Sequence, residues 1–145
     1  MGTKSILLAA LAGAVTWFLM AGVFLGGLFN AYIMGNMNEV LAGQTLMDKM
    51  GQQFILVQFV SIFAWSLLLA LVIQWSGATG WKAGARKGVA VGFLLVTGLE
   101  VTLQVFTTFW RSLPPMLLEV ALITSFATAA GAMIGWILGR DRRPS

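Results

Sequence analysis

SILLAALAGAVTWFLMAGVFLGGLF, residues 5–29, runs for 25 residues without one charged side chain. Crossing the hydrocarbon core of a bilayer takes roughly 20 mostly apolar residues at the helical rise of about 1.5 Å. Inside lipid a single segment can satisfy its backbone polar groups only by coiling into a helix. This stretch therefore reads as a transmembrane helix. Working outward, three more stretches qualify: 54–75, 89–110 and 117–138. No charge falls between Lys4 and Glu39 or between Lys49 and Lys82, while the third and fourth stretches hold Glu100 and Glu119. The expected fold is an all-α membrane protein, a four-transmembrane-helix bundle in which residues 1–145 form a single domain.

Composition agrees with this class. The chain is 59% hydrophobic and 10% charged, with mean hydropathy +0.88. A soluble domain carries about 25% charged residues. There is no cysteine and no histidine, which removes disulfides, thiolate catalysis, the usual zinc sites and histidine-ligated haem. The net charge of +4 is no nucleic-acid footprint, because the basic residues gather at span ends rather than along one face.

The flanks set an expected orientation. Lys4, the loop with Lys82, Arg86 and Lys87, and the tail with Arg140, Arg142 and Arg143 fall on one side, against only Lys49 and Arg111 on the other. The positive-inside rule then places both termini in the cytoplasm. Trp75, Trp81 and Trp136 near the cytoplasmic ends, and Trp110 near the outer one, stand at aromatic-belt positions. The start of the chain also imitates a cleavable signal peptide, with Lys4, an apolar run and small pairs such as Ala10/Ala12. The run continues to Phe29, however, beyond an ordinary signal core, so a retained first span is expected.

One loop is long. In NAYIMGNMNEVLAGQTLMDKMGQ (30–52), residues Ile33, Met37, Val40, Leu41 and Met47 share one helical face loosely. That spacing fits either a short amphipathic helix on the outer surface or an irregular apolar loop. By contrast RSLPP is a tight connection, and Pro114 and Pro115 suit a helix start rather than its interior.

Small residues recur at four-residue spacing. Gly80, Gly84, Gly88 and Gly92 enter span three, Ala127, Gly131, Gly135 and Gly139 close span four, and Gly22 and Gly26 form a pair in span one. Lipid supplies no hydrophobic drive between helices, so association depends on close backbone approach, which small residues permit. The expectation is a glycine-zipper packing of spans three and four at the cytoplasmic end. The alternative is that a stripe faces a second copy.

The outer half holds the polar groups. In GLEVTLQVF (98–106), Glu100 stands near the middle of span three as delimited, with Gln104 one turn on. Gln58 and Glu119 fall at about the level of Gln104, and Trp17 and Trp65 near the midpoints of spans one and two. An ionised side chain at a helix centre costs roughly 2.5–3.5 kcal/mol on insertion scales and turns inward. Desolvation favours a neutral, hydrogen-bonding acid there. Glu100 is one of few acceptors at the depth of those two indoles. It either binds a proton or cation, with Gln58, Gln104 and Glu119 lining the approach, or is a protonated interhelical hydrogen-bond donor, to another helix or a partner subunit. Glu119 is expected to be solvated near the interface.

No nucleophile is paired with a base, no metal ligands cluster, and no phosphate-cradling loop follows a strand. The expected class is a non-enzymatic membrane protein with no catalytic residues, cofactor or metal. It would be an accessory or packing subunit of a larger assembly, or a self-associating one. The alternative is a small proton-coupled transporter or channel with Glu100 as the coupling carboxylate and Trp17 and Trp65 as pocket wall. A lipid-acting enzyme ranks behind both.

WKAGARKGVAVGFLLVTGLEVTLQVF (81–106) with LLEVALITSFATAAGAMIGWILGR (117–140) resembles a family of short bacterial four-span proteins catalogued only as a domain of unknown function. In that family a small-residue-rich third span precedes a last span ending in an MGAILG-like stretch, here Ala132 to Gly139. The likeness covers about half the chain. The family's aromatic–Ser–Pro step after the first span is replaced here by GGLFNAYIMGN (26–36). The resemblance implies four helices and a bacterial inner membrane, and assigns no activity and no functional residues.

Overall fold

The computed structural model describes residues 2–38 and 52–140. The described chain is helical almost throughout: α1 (Thr3–Val23), a π-helical turn (Phe24–Leu28), α2 (Asn30–Asn36), α3 (Gln52–Trp75), α4 (Trp81–Thr107) and α5 (Leu113–Arg140). There is no strand among the described residues, only an isolated bridge between Met37 and Trp110. Four helical stretches are long and apolar enough to cross a membrane: Thr3–Leu28, Ile55–Trp75, Trp81–Thr107 and Leu113–Arg140, with hydropathies of 2.2, 2.4, 1.9 and 1.8. The architecture is that of a multi-pass, all-α four-helix bundle. Val40, Leu41 and Met47 of the long loop lie outside the described residues, and Ile33 and Met37 belong to α2 and its C-cap.

The helices differ from the hydropathic stretches mainly at their ends. α4 starts at Trp81 rather than 89, because Lys82, Arg86 and Lys87 extend the coil past its apolar part. It also stops at Thr107, three residues early, where Thr108 adopts a left-handed conformation (φ 46) as C-cap. α5 starts at Leu113, with Pro114 and Pro115 in its first turn, where a missing amide costs nothing.

α5 is the hub. It packs most extensively against α4, then α1, then α3, whereas α3 and α4 barely touch. Ala9 and Ala10 of α1, Leu69, Ala70 and Ile73 of α3, and Ala130, Ile134 and Leu138 of α5 form one buried core. That core sits at the basic end of the bundle, with Lys4, Lys82, Arg86, Lys87 and Arg140. Trp75, Trp81 and Trp136 are exposed there. The Arg140 guanidinium lies 4.9 Å from the Trp136 ring and the Lys82 ammonium 5.5 Å from that of Trp81. These are interfacial anchors with cation–π partners.

The small residues of α4 and α5 face each other. A Cβ on Gly135 would stand 2.8 Å from the Gly84 Cα, and one on Gly131 3.0 Å from the Gly88 Cα. A Cβ on Gly92 would collide with Ala127, and one on Gly139 would lie 2.8 Å from the Gly80 amide nitrogen. The backbones approach so closely that the Gly80 N–H donates to the Gly135 carbonyl at 3.0 Å. Gly80 takes φ +83 to do so, a conformation glycine adopts at no steric cost. Gly22 and Gly26 differ: a Cβ on either would meet nothing within 4 Å among the described residues. Gly26 belongs instead to the π-helical turn.

Candidate functional site

Two polar constructions occupy the half of the bundle away from the basic end. One is a clasp around Trp110. Glu100 and Gln104 are one turn apart on α4 and so share a face. The Trp110 indole N–H donates to Glu100 Oε2 at 2.6 Å. Gln104 holds the backbone of the same residue from both sides, its Nε2 donating to the Trp110 carbonyl at 3.2 Å and its Oε1 accepting the Trp110 N–H at 2.9 Å. Glu100 is 4% exposed and Trp110 2%.

The clasp also ties down the segment after α1. Asn38 N–H donates to the Phe109 carbonyl and Arg111 N–H to the Asn36 carbonyl, both at 3.0 Å. The Arg111 guanidinium donates to the Gly35 carbonyl at 3.4 Å. A short antiparallel contact thus crosses the end of the bundle with the clasped tryptophan in its middle.

Four expectations change here. Trp110 is no belt residue, because its indole is turned in and buried. Glu100 accepts the indole of Trp110 rather than that of Trp17 or Trp65. Glu100 is also not at mid-helix: it stands seven residues, about 10 Å of rise, from the end of α4 at Thr107. Gln104 serves the clasp and a shallow cleft with Val101, Val105 and Met116, rather than an approach shared with Gln58 and Glu119.

The second construction is a cavity of ≈ 180 Å³ between α1, α3, α4 and α5, in the gap that the sparse α3–α4 contact leaves open. Trp17 of α1 and Trp65 of α3 wall it, both half-buried. α4 contributes only apolar side chains and Gly92. The polar groups are Gln58 and Ser61 of α3 and Glu119 of α5. Leu25, in the π-helical turn, also lines it, so the widened coil of α1 falls beside the cavity. Such turns recur at functional sites.

Glu119 is half-buried, six residues into α5, and makes no hydrogen bond or ion pair among the described residues. The expectation of a solvated Glu119 near the interface rested on a span beginning at residue 117. With α5 beginning at Leu113, the acid is carried a full turn deeper and aligned with the gap. Of the six polar-site residues expected from sequence, Trp17, Trp65, Gln58 and Glu119 meet around the cavity, while Glu100 and Gln104 belong to the clasp. Ser66, Thr97 and Thr124 carry buried hydroxyls with no partner, but none of them lines the cavity.

No family model matches this chain, and no curated protein or solved structure matches it either.

Chemistry at the cavity therefore has to be read from the residues themselves. Two indole faces offer apolar area and a negative quadrupole. One carboxyl offers a single charge or a hydrogen-bond donor. Among the described residues no cationic side chain and no nucleophile with an adjacent base lines the space. Such an arrangement can hold and orient a small molecule, and it lacks the paired groups that bond-making requires.

Proposed function

We propose that this protein is a non-enzymatic, multi-pass protein of a bacterial inner membrane, both termini cytoplasmic, that binds a small solute in its four-helix cavity as a transporter or channel does. Glu119, rather than Glu100, is the acid that meets the solute. The observation that carries this reading is the cavity itself, walled by Trp17 and Trp65 and holding a carboxyl without a partner among the described residues. Membrane interiors keep ionisable groups where they pair or act, and Glu100 is already paired. The orientation rests on the five cations at the basic end, and the choice of membrane on the resemblance to short bacterial four-span proteins.

Ala21→Phe tests it. Ala21 lines the cavity, and a phenyl ring there takes up the space while Gln58, Ser61 and Glu119 keep their side chains. Small aromatic solutes should raise the thermal midpoint of the detergent-solubilised native protein, since a ligand stabilises the state it binds. The Ala21→Phe protein should show no such rise. If no small solute, charged or neutral, shifts the midpoint of the native protein, the reading fails.

A second reading, an accessory or self-associating subunit, is favoured by one observation. A Cβ on Gly22 of α1 or on Gly26 of the π-helical turn would meet nothing within 4 Å among the described residues, which leaves room for another helix. Gly22→Leu with Gly26→Leu would then lower the size of the particle in mild detergent while leaving the fold of one chain intact.

A further inference from the structure

The cavity has a size, a wall chemistry and a charge, and together these narrow its ligand. A volume of ≈ 180 Å³ is close to the roughly 150 Å³ of cavities that take up benzene. The occupant is therefore small, about one ring or its alkyl equivalent with one short substituent. The walls come from four helices and are mostly apolar, so the body of the ligand is apolar.

The charge decides the rest. Among the described residues Glu119 is the only ionisable side chain lining the cavity, and none of them pairs with it. The one cation described in that half of the bundle, Arg111, is exposed and reaches Gly35 instead. The other nearby acid, Glu100, is engaged by Trp110. Among the described residues no cation balances Glu119, which leaves its charge open to a cationic ligand. Trp17 and Trp65 present the ring type that attracts cations most strongly within about 6 Å.

We infer that the ligand of this cavity is a small organic cation, an ammonium on an apolar body, with its charge at Glu119 and its body between Trp17 and Trp65. The inference rests on the cavity reading above and names its substrate class. Charge balance follows directly. Where Glu119 is protonated before binding, the arriving cation displaces that proton to solvent, one positive charge for another. Exchange is then electroneutral, and no uncompensated charge is left in the bundle.

The experiment uses the whole chain in detergent micelles with the indole N–H groups labelled for NMR, and three isosteric probes: benzylammonium, benzyl alcohol and benzoate. Benzylammonium should shift the Trp17 and Trp65 signals, leave Trp110 in place, and bind at least about tenfold more tightly than benzyl alcohol, in keeping with a desolvated charge pair. Glu119→Gln should remove that advantage, a Trp110 indole signal at its native position showing that the variant is folded; an advantage that survives in Glu119→Gln overturns the inference. Benzyl alcohol binding as well as benzylammonium, or benzoate binding best, overturns the cation while the solute-binding reading stands. Shifts confined to Trp75, Trp81 and Trp136 would mean surface partitioning only, and both readings fall.

Discussion

Helix α4 has two neighbours and meets them in opposite ways. Against α5 it presents glycine at every fourth position, and the two backbones come close enough for an interhelical N–H···O bond. Against α3 it presents Val91, Leu95 and Leu99 across a gap that stays open as the cavity. The seam contains almost no side-chain volume and the gap is defined by large side chains that do not meet. In lipid, where apolar surface gains nothing by leaving the acyl chains, contact goes to the pair of helices that can approach and interdigitate. The tight seam also frees α4 from needing α3, and this independence leaves room for a cavity.

The comparison breaks most visibly at the seam. A Cβ on Gly88 would be driven into the Ala127 carbonyl, which is backbone and has nowhere to go. Overpacking by a single methylene costs about 1–3 kcal/mol, and Gly88→Leu adds four carbons. Gly88→Leu and Gly135→Leu are each expected to lower the thermal midpoint in detergent more than any other single change described here. Leu95→Ala on the gap side of α4 should fall far short of that loss. Equal losses would mean that the gap is as tightly built as the seam.

A smaller effect separates the two acids. Glu100 satisfies a buried indole, so Glu100→Leu leaves the Trp110 N–H without an acceptor at a cost of about 1–3 kcal/mol. Glu100→Gln still offers a carbonyl oxygen and should be mild. Glu119 satisfies nothing among the described residues, so Glu119→Leu should leave stability unchanged or raise it, because a polar group buried without a partner is a cost the fold no longer carries. Thermal unfolding of the three variants gives the comparison, and a Glu119→Leu loss as large as that of Glu100→Leu would show a structural partner for Glu119.

How much of this could be read from sequence follows from what each feature depends on. The spans were legible because bilayer thickness sets a length that uncharged runs either reach or miss. The four-residue spacing of small residues was legible, but whether a pair packs depends on the facing helix. Gly84 and Gly22 sit in the same kind of pattern, and only Gly84 has a partner in the bundle. Trp110 was misplaced because a tryptophan near a span end is the same letter whether it faces headgroups or turns in. What turns it in is the early end of α4 at Thr107 and a pairing with residues 36–38, a contact some 70 positions away. A signal was present nonetheless: Glu100 and Gln104 on one face, with an indole ten residues beyond Glu100. The two acids exchanged roles for a local reason, since helix ends shift by a turn on either side of the RSLPP connection and carry both side chains with them.

The smallest expected effect isolates the seam from its own sequence pattern. Gly22 and Gly84 are both helical glycines at four-residue spacing, and alanine at either adds one methyl and restricts the unfolded backbone equally. In a helix interior that change is favourable by about 0.5–1 kcal/mol when the methyl has room. At Gly22 the methyl meets nothing within 4 Å, while at Gly84 it collides with the Gly131 carbonyl and comes within 2.9 Å of the Gly135 Cα. Gly22→Ala should therefore raise the thermal midpoint slightly and Gly84→Ala should lower it. A fall at Gly22 matching that at Gly84 would mean that α1 also has a close-packed partner beyond the described residues.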